Sequence, residues 1–206
     1  MGIDPGTART GYGVLEVGSD GRLYAVALGD IDMRRVRDHY QKLRMIFERV
    51  GALIDGYRPD EVALESPFFG TNVQSMLKLG RAQGVAMAAA LSRGIDVCEY
   101  APTRVKQAIT GRGAAAKEQV AAMLGGMLGI EYDPRRLDAT DGMAVALCHY
   151  FATSSSVFQA VGGAAGGSVA NKKTGRSASW EDFLRANPGR EIGRAAGRES
   201  GRAVKK

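Results

Sequence analysis

The feature that most narrows the fold of this chain is a strand that ends on a carboxylate within the first few residues. Met1-Gly2-Ile3-Asp4-Pro5-Gly6-Thr7 is a short apolar run, stopped by an aspartate and turned sharply by Pro-Gly. Gly11-Tyr12-Gly13-Val14-Leu15-Glu16-Val17 follows at once and reads as a second strand. A strand–turn–strand of this kind holds Asp4 at the end of a central strand with its carboxylate toward solvent. An Asp-Pro-Gly alone needs no function, because an Asp side chain readily bonds the backbone of its own turn. Asp4 gains its meaning from three other acidic residues.

Residues 23–28 read as a third strand that closes an antiparallel meander. Arg34, Arg35 and Arg37 form a basic cluster ahead of a helix. In that helix Tyr40, Leu43, Phe47, Val50 and Ile54 recur at helical spacing, a stripe expected to pack on the sheet, and Gly56 and Pro59 are expected to end it. Residues 61–65 form a short apolar strand that stops at Glu65, followed by a Pro-Phe-Phe-Gly loop and a long helix over 72–92. That helix carries Met76, Leu79, Val85 and Leu91 among small residues. A fifth strand at 95–100 precedes helices at 102–109, 114–128 and about 136–151. A meander followed by strands with helical crossovers predicts an α/β fold, a mixed five-stranded sheet with helices on both faces.

Charge separates the chain into two parts. Residues 152–206 hold ten Lys/Arg and four Asp/Glu, which accounts for the whole net charge of +6 and leaves 1–151 neutral. Bulk charge therefore gives no sign that the folded part binds nucleic acid, and such a claim has to rest on local clusters. Residues 152–178 are rich in Ser, Gly and Ala and predict a flexible linker, with a short helix near 179–186 around Trp180, Phe183 and Leu184. The Gly/Arg/Ala sequence from Glu191 onward predicts disorder. The start lacks a basic-then-apolar signal pattern, and the apolar stretch at 85–91 is too short to span a bilayer, so a cytoplasmic protein without membrane attachment is expected. Cys98 and Cys148 match no metal-ligand spacing and are expected to be buried thiols.

Four carboxylates carry the chemistry. Asp4 ends strand one, Glu65 ends strand four, and Asp138 and Asp141 lie three apart at the start of the last helix, on one face. Singly, an Asp at a helix start is a cap or a dipole partner. If strands one and four are neighbours, Asp4 and Glu65 lie side by side and the last helix can cross that end. Crowded carboxylates repel, and cations are needed to neutralise them. An oxygen-only donor set suits Mg²⁺ or Mn²⁺, whereas zinc favours His or Cys. Two such ions about 4 Å apart suit phosphodiester hydrolysis.

Gly2-Ile3-Asp4-Pro5-Gly6-Thr7 with Gly11-Tyr12-Gly13, Ala63-Leu64-Glu65, residues 77–85, Tyr100-Ala101-Pro102 with Val105-Lys106-Gln107, and Asp138-Ala139-Thr140-Asp141 together resemble the RuvC family of bacterial Holliday-junction resolvases. The similarity runs in register from Met1 to about Phe151. It implies a ribonuclease-H-like nuclease domain over 1–151 and a homodimer that nicks two opposed strands of a four-way DNA junction with two Mg²⁺ ions per site. Carried over by position, Asp4, Glu65, Asp138 and Asp141 are the metal ligands. Lys106 and Lys117 match lysines near the scissile phosphate, and Phe68 matches an aromatic that stacks on bases. Lys78 and Arg81 are candidates for phosphate contact, and the RuvA–RuvB branch-migration machinery is the implied partner. Two departures stand out. Only Met1, Gly2 and Ile3 precede Asp4, an arrangement expected to weaken strand one and bring the α-ammonium close to Asp4, and the tail is longer than the core family needs. The alternatives are a YqgF-type nuclease acting on RNA and a junction-binding protein that does not cut. Actin-like ATPases share the Asp-x-Gly-Thr start but need a second domain for which 206 residues leave no room.

Overall fold

The computed structural model describes residues 1–66, 72–131 and 137–154. Ten elements follow in the order β1 (Gly2–Asp4), β2 (Arg9–Val17), β3 (Leu23–Asp32), α1 (His39–Tyr57), β4 (Glu61–Glu65), α2 (Val73–Leu91), β5 (Asp96–Tyr100), α3 (Pro102–Thr110), α4 (Lys117–Leu128) and α5 (Asp138–Ser154). The sheet order is β3-β2-β1-β4-β5, with β1, β2 and β3 antiparallel and β4 parallel to both β1 and β5. This is the expected mixed five-stranded sheet. The expected tail linker and the short helix near 179–186 lie outside the described residues.

The period of two along each strand divides the core between the faces. Ile3, Val62 and Leu64 join Ile46, Val50, Ile54 and Ala86 on the face covered by α1 and α2. Ala63 joins Val105, Leu124, Met143 and Leu147 on the face covered by α3, α4 and α5. Alternation then sends Asp4 and Glu65, two residues beyond Gly2 and Ala63, to the α5 face. The register Gly2↔Ala63 and Ile3↔Leu64, carried on by one residue, sets them side by side.

Local chemistry explains the boundaries. The turn after Asp4 is closed by Thr10, whose buried hydroxyl donates to the Gly6 carbonyl at 3.2 Å. Asp38 caps α1 by accepting from the Gln41 N–H at 2.8 Å, and Asn72 caps α2 in the same way through Ser75. Helix α1 runs through Gly56 and ends at Arg58, which adopts the left-handed conformation, so Gly56 does not end it. Its buried residues are Ile46, Val50, Gly51 and Ile54, while Tyr40 is 73% and Phe47 40% exposed. The expected stripe is therefore corrected: it turns by one residue toward α2, replacing Phe47 with Ile46. The α-ammonium also lies away from Asp4. It donates to the Glu61 carbonyl at 2.8 Å, at the opposite end of the sheet, because Met1 and Asp4 cap opposite ends of one strand.

Helix α5 lies directly on the backbone of β1 and β2. A Cβ on Gly2 would meet the Ala146 nitrogen at 2.3 Å, one on Gly13 the Met143 Cα at 2.4 Å, and one on Gly142 the Tyr12 Cα at 2.4 Å. Glycines on both sides of this contact let helix and sheet approach without intervening side chains. Gly142→Ala is therefore expected to destabilise the protein by about 3 kcal/mol, lowering Tm by roughly 6–12 °C. Gly126→Ala in α4, where an added Cβ meets nothing within 4 Å, is expected to stabilise by about 0.5–1 kcal/mol. Thermal melts of both variants check this, and equal Tm changes would remove the close approach from the account.

Candidate active site

Five elements meet at one small cavity of about 60 Å³, lined by Asp4, Glu65, Val105, Lys106, Lys117, Val120, Asp141 and Ala144. Asp4 comes from the end of β1, Glu65 from the end of β4, and Asp141 from the first turn of α5, while Lys106 stands on α3 and Lys117 begins α4. Lys117 Nζ donates to Asp141 Oδ2 at 2.5 Å. Burial works against the Lys117 charge, but this hydrogen bond and the surrounding carboxylates outweigh it and raise its pKa, so Lys117 is a firm cation. The apolar walls supplied by Val105, Val120 and Ala144 lower the local dielectric and strengthen each of these interactions.

The proximity of the carboxylates carries an electrostatic penalty. Burial, reinforced by Asp141, pushes the Asp4 carboxyl up to about 6. Burial, reinforced by Asp4 and Asp141, pushes Glu65 up to about 8, despite the opposing charges of Lys117 and Lys106.

Asp138 takes a different place from the one its spacing implies. It is the first residue of α5, and its Oδ2 accepts from Arg9 Nη1 at 2.9 Å, outside the set that lines the cavity. It still contributes to the field at Asp4. Arg9, at the start of β2, is thus a residue close to the site that no motif in the sequence marks. The one signal for it is its position two residues before Gly11, which registers with Asp4. Lys78 and Arg81 are exposed on α2 and do not line the cavity, and Phe68 lies outside the described residues. Cys98 and Cys148 are free thiols, Cys148 buried and Cys98 partly so, and neither belongs to the site.

The donor chemistry fits a hard divalent cation. Asp4, Glu65 and Asp141 offer only oxygen, and a cation among them would relieve the repulsion that raises the first two pKa values. Among the described residues no three His, Cys, Asp or Glu side chains stand close enough to enclose an ion as they are. Asp141 is turned to Lys117 and Asp138 to Arg9, so rotation of these side chains is what would complete a ligand set.

This electrostatic arrangement has a pH signature. A carboxyl with a raised folded-state pKa favours folding when protonated, and that contribution is lost as pH rises through the folded value. For Glu65 the window runs from about 4.5 to about 8. In EDTA, Glu65→Gln is therefore expected to melt a few degrees above the parent at pH 8.5, with the difference shrinking toward pH 5. Adding Mg²⁺ at pH 8.5 is expected to raise the parent Tm and leave the variant largely unchanged. A variant less stable than the parent at every pH would contradict the assignment of repulsion at this site.

Comparison with known proteins agrees with the geometry. The family model described as crossover junction endodeoxyribonuclease RuvC matches residues 1–149. The Porphyromonas gingivalis crossover junction endodeoxyribonuclease RuvC is 52% identical over 191 residues, covering 91% of this chain and 94% of that one. A match of that extent runs past residue 151, so the longer tail is in part shared with this relative. The structure of Thermus thermophilus RuvC superposes with a TM-score of 0.66 at 35% identity, covering 74% of this chain and 93% of that one. T. thermophilus RuvC in complex with Holliday junction substrate gives 0.67 at the same identity, covering 74% and 92%. Among the described residues no helix is long and apolar enough to cross a membrane. With its ribonuclease-H-like sheet, its carboxylate-lined cavity and a family match over residues 1–149, this chain belongs to the RuvC family of crossover junction endodeoxyribonucleases.

Proposed function

We propose that this protein resolves four-way DNA junctions by hydrolysing one phosphodiester in each of two opposed strands. The observation that carries the reading is the convergence of Asp4, Glu65 and Asp141, from three separate elements, on one cavity that also holds two lysines. A DNA phosphate entering that cavity meets Lys117 and Lys106, whose positive charges offset its own and stabilise the extra negative charge of the transition state. The hydrogen bond from Lys117 to Asp141 positions the lysine at the cavity until a cation takes the Asp141 carboxylate. Asp4, Glu65 and Asp141, joined by Asp138 on release from Arg9, are the groups that would hold Mg²⁺, with Mn²⁺ as an acceptable substitute. A pair of such ions, when bound, supplies activation of the attacking water and stabilisation of the leaving oxygen.

Symmetric nicking needs two sites facing two strands, which a homodimer supplies. Phe68 is assigned to stacking on unpaired bases at the junction centre, and Lys78 and Arg81 to backbone phosphates on the α2 side. The nuclease domain is 1–151, and the basic 152–206 segment is an appendage to it. Action in the cytoplasm, alongside a RuvA–RuvB branch-migration complex, completes the reading.

The test is cleavage of a synthetic mobile four-way junction beside a linear duplex of the same sequence, with Mg²⁺ or with EDTA. Paired nicks confined to the junction and dependent on Mg²⁺ are expected. Glu65→Gln should lower the rate at least about 10³-fold, and Lys117→Ala about 10²–10³-fold with junction affinity changed far less. Equal cutting of junction and duplex, or full activity in Glu65→Gln, would sink the proposal.

A further inference from the structure

The basic cluster that precedes α1 has no part in the cavity, yet the fold brings it to the same edge of the sheet. Asp4 registers with Gly11, Gly11 with Asp30 and Arg9 with Asp32, so the end of β3 and the residues after it share the edge on which β1 delivers Asp4. Two bonds strap this connection to the turn after Asp4: the Met33 N–H donates to the Ala8 carbonyl at 2.9 Å, and Lys42 Nζ donates to the Thr7 carbonyl at 2.9 Å. Its position relative to the cavity is therefore fixed.

Residues 33–44 contain Arg34, Arg35, Arg37, Lys42 and Arg44 against a single acid, Asp38, in a domain whose overall charge is balanced. The five cations are not equivalent. Arg34 is held in a fork by Asp32, with contacts of 2.6–3.1 Å, and Lys42 is engaged by the Thr7 carbonyl. Arg35 and Arg37 are exposed and form no ion pair among the described residues. Tyr40, three residues after Arg37 in the first turn of α1, is 73% exposed. Exposed arginines with an adjacent tyrosine are the side chains that bind nucleic-acid phosphates and sugars.

We propose that Arg35, Arg37 and Tyr40 form a second DNA-binding surface, which grips the sugar–phosphate backbone of a junction arm beyond the scissile phosphate. Two strand spacings separate β1 from β3, about 10 Å, or about three nucleotides of rise along one strand of a duplex. The surface thus lies at the end of the sheet where β1 delivers Asp4, on the β3 side, whereas Lys106 stands on α3 after β5 at the other side. The surface grips the backbone by charge, so it orients the arm and adds affinity. The inference rests on the resolvase reading of the cavity.

The test compares the full-length protein with the Arg35→Ala/Arg37→Ala double variant, with Tyr40→Ala, and with Arg22→Ala. Arg22 lies just before β3 at the far edge of the sheet and serves as a control for loss of charge alone. Binding of a four-way junction is measured in EDTA between 50 and 200 mM salt, and cleavage is measured with Mg²⁺ at saturating protein. The double variant is expected to bind about tenfold more weakly at 100 mM salt, with a salt slope shallower by about 2. Its nick positions and saturated cleavage rate should stay within about twofold of the parent. Tyr40→Ala is expected to weaken binding about twofold to fivefold with the slope unchanged, since it removes no charge. Equal affinity and slope in parent and double variant would overturn the surface, as would an equal loss in Arg22→Ala. A parent that does not prefer the junction would overturn the resolvase reading itself.

Discussion

The interaction on which the rest depends is the contact of α5 with the backbone of β1 and β2. Gly2 and Gly13 on the sheet and Gly142 on the helix leave no room for a Cβ between them. That approach sets the height of the first turn of α5 over the ends of the strands, and so the distance from Asp141 to Asp4 and Glu65. Any side chain in the gap lifts the helix and opens the cavity. The α5 face is otherwise held by Met143, Val145 and Leu147, all fully buried, so the geometry of the site follows from core packing.

Around that contact the fold builds an electrostatic arrangement that disfavours its own ligand-free state. Three carboxylates face a small cavity whose walls are partly apolar, and the two on the sheet hold their protons well above the usual carboxylate range. Lys117 and Arg9 relieve part of the repulsion by pairing with Asp141 and Asp138. On the proposed reading a divalent cation would take the place of these pairs, and Lys117 would remain available to a phosphate. A site that is strained without its ion and its anionic substrate is preorganised to gain from binding both.

Much of this is legible in the chain. Asp4 and Glu65 each close an apolar strand, but a helical crossover after a meander is compatible with β4 beside β3 or beside β1, so their adjacency is a condition in the sequence that the pairing of β1 with β4 meets. Asp141 follows from its place in the first turn of α5. The partner of Asp138 is not legible, because Arg9 lies 129 residues away and no spacing rule links them. In α1 both Ile46 and Phe47 satisfy helical periodicity with Leu43, Val50 and Ile54, and only packing against α2 decides that Ile46 goes inside. The glycines in β1, β2 and α5 look like weak points of a strand or helix, and their meaning as a close-approach surface appears only when the elements meet.

The measurement that tests the account most directly is anomalous diffraction from crystals of the protein soaked in Mn²⁺. Density for Mn²⁺ is expected about 2.1–2.2 Å from carboxylate oxygens of Asp4, Glu65 and Asp141, with Asp141 turned away from Lys117 and α5 unmoved on β1 and β2. An ion bound elsewhere, or a site that fills only after α5 shifts off the sheet, would contradict the claim that the glycine-lined contact builds the metal site.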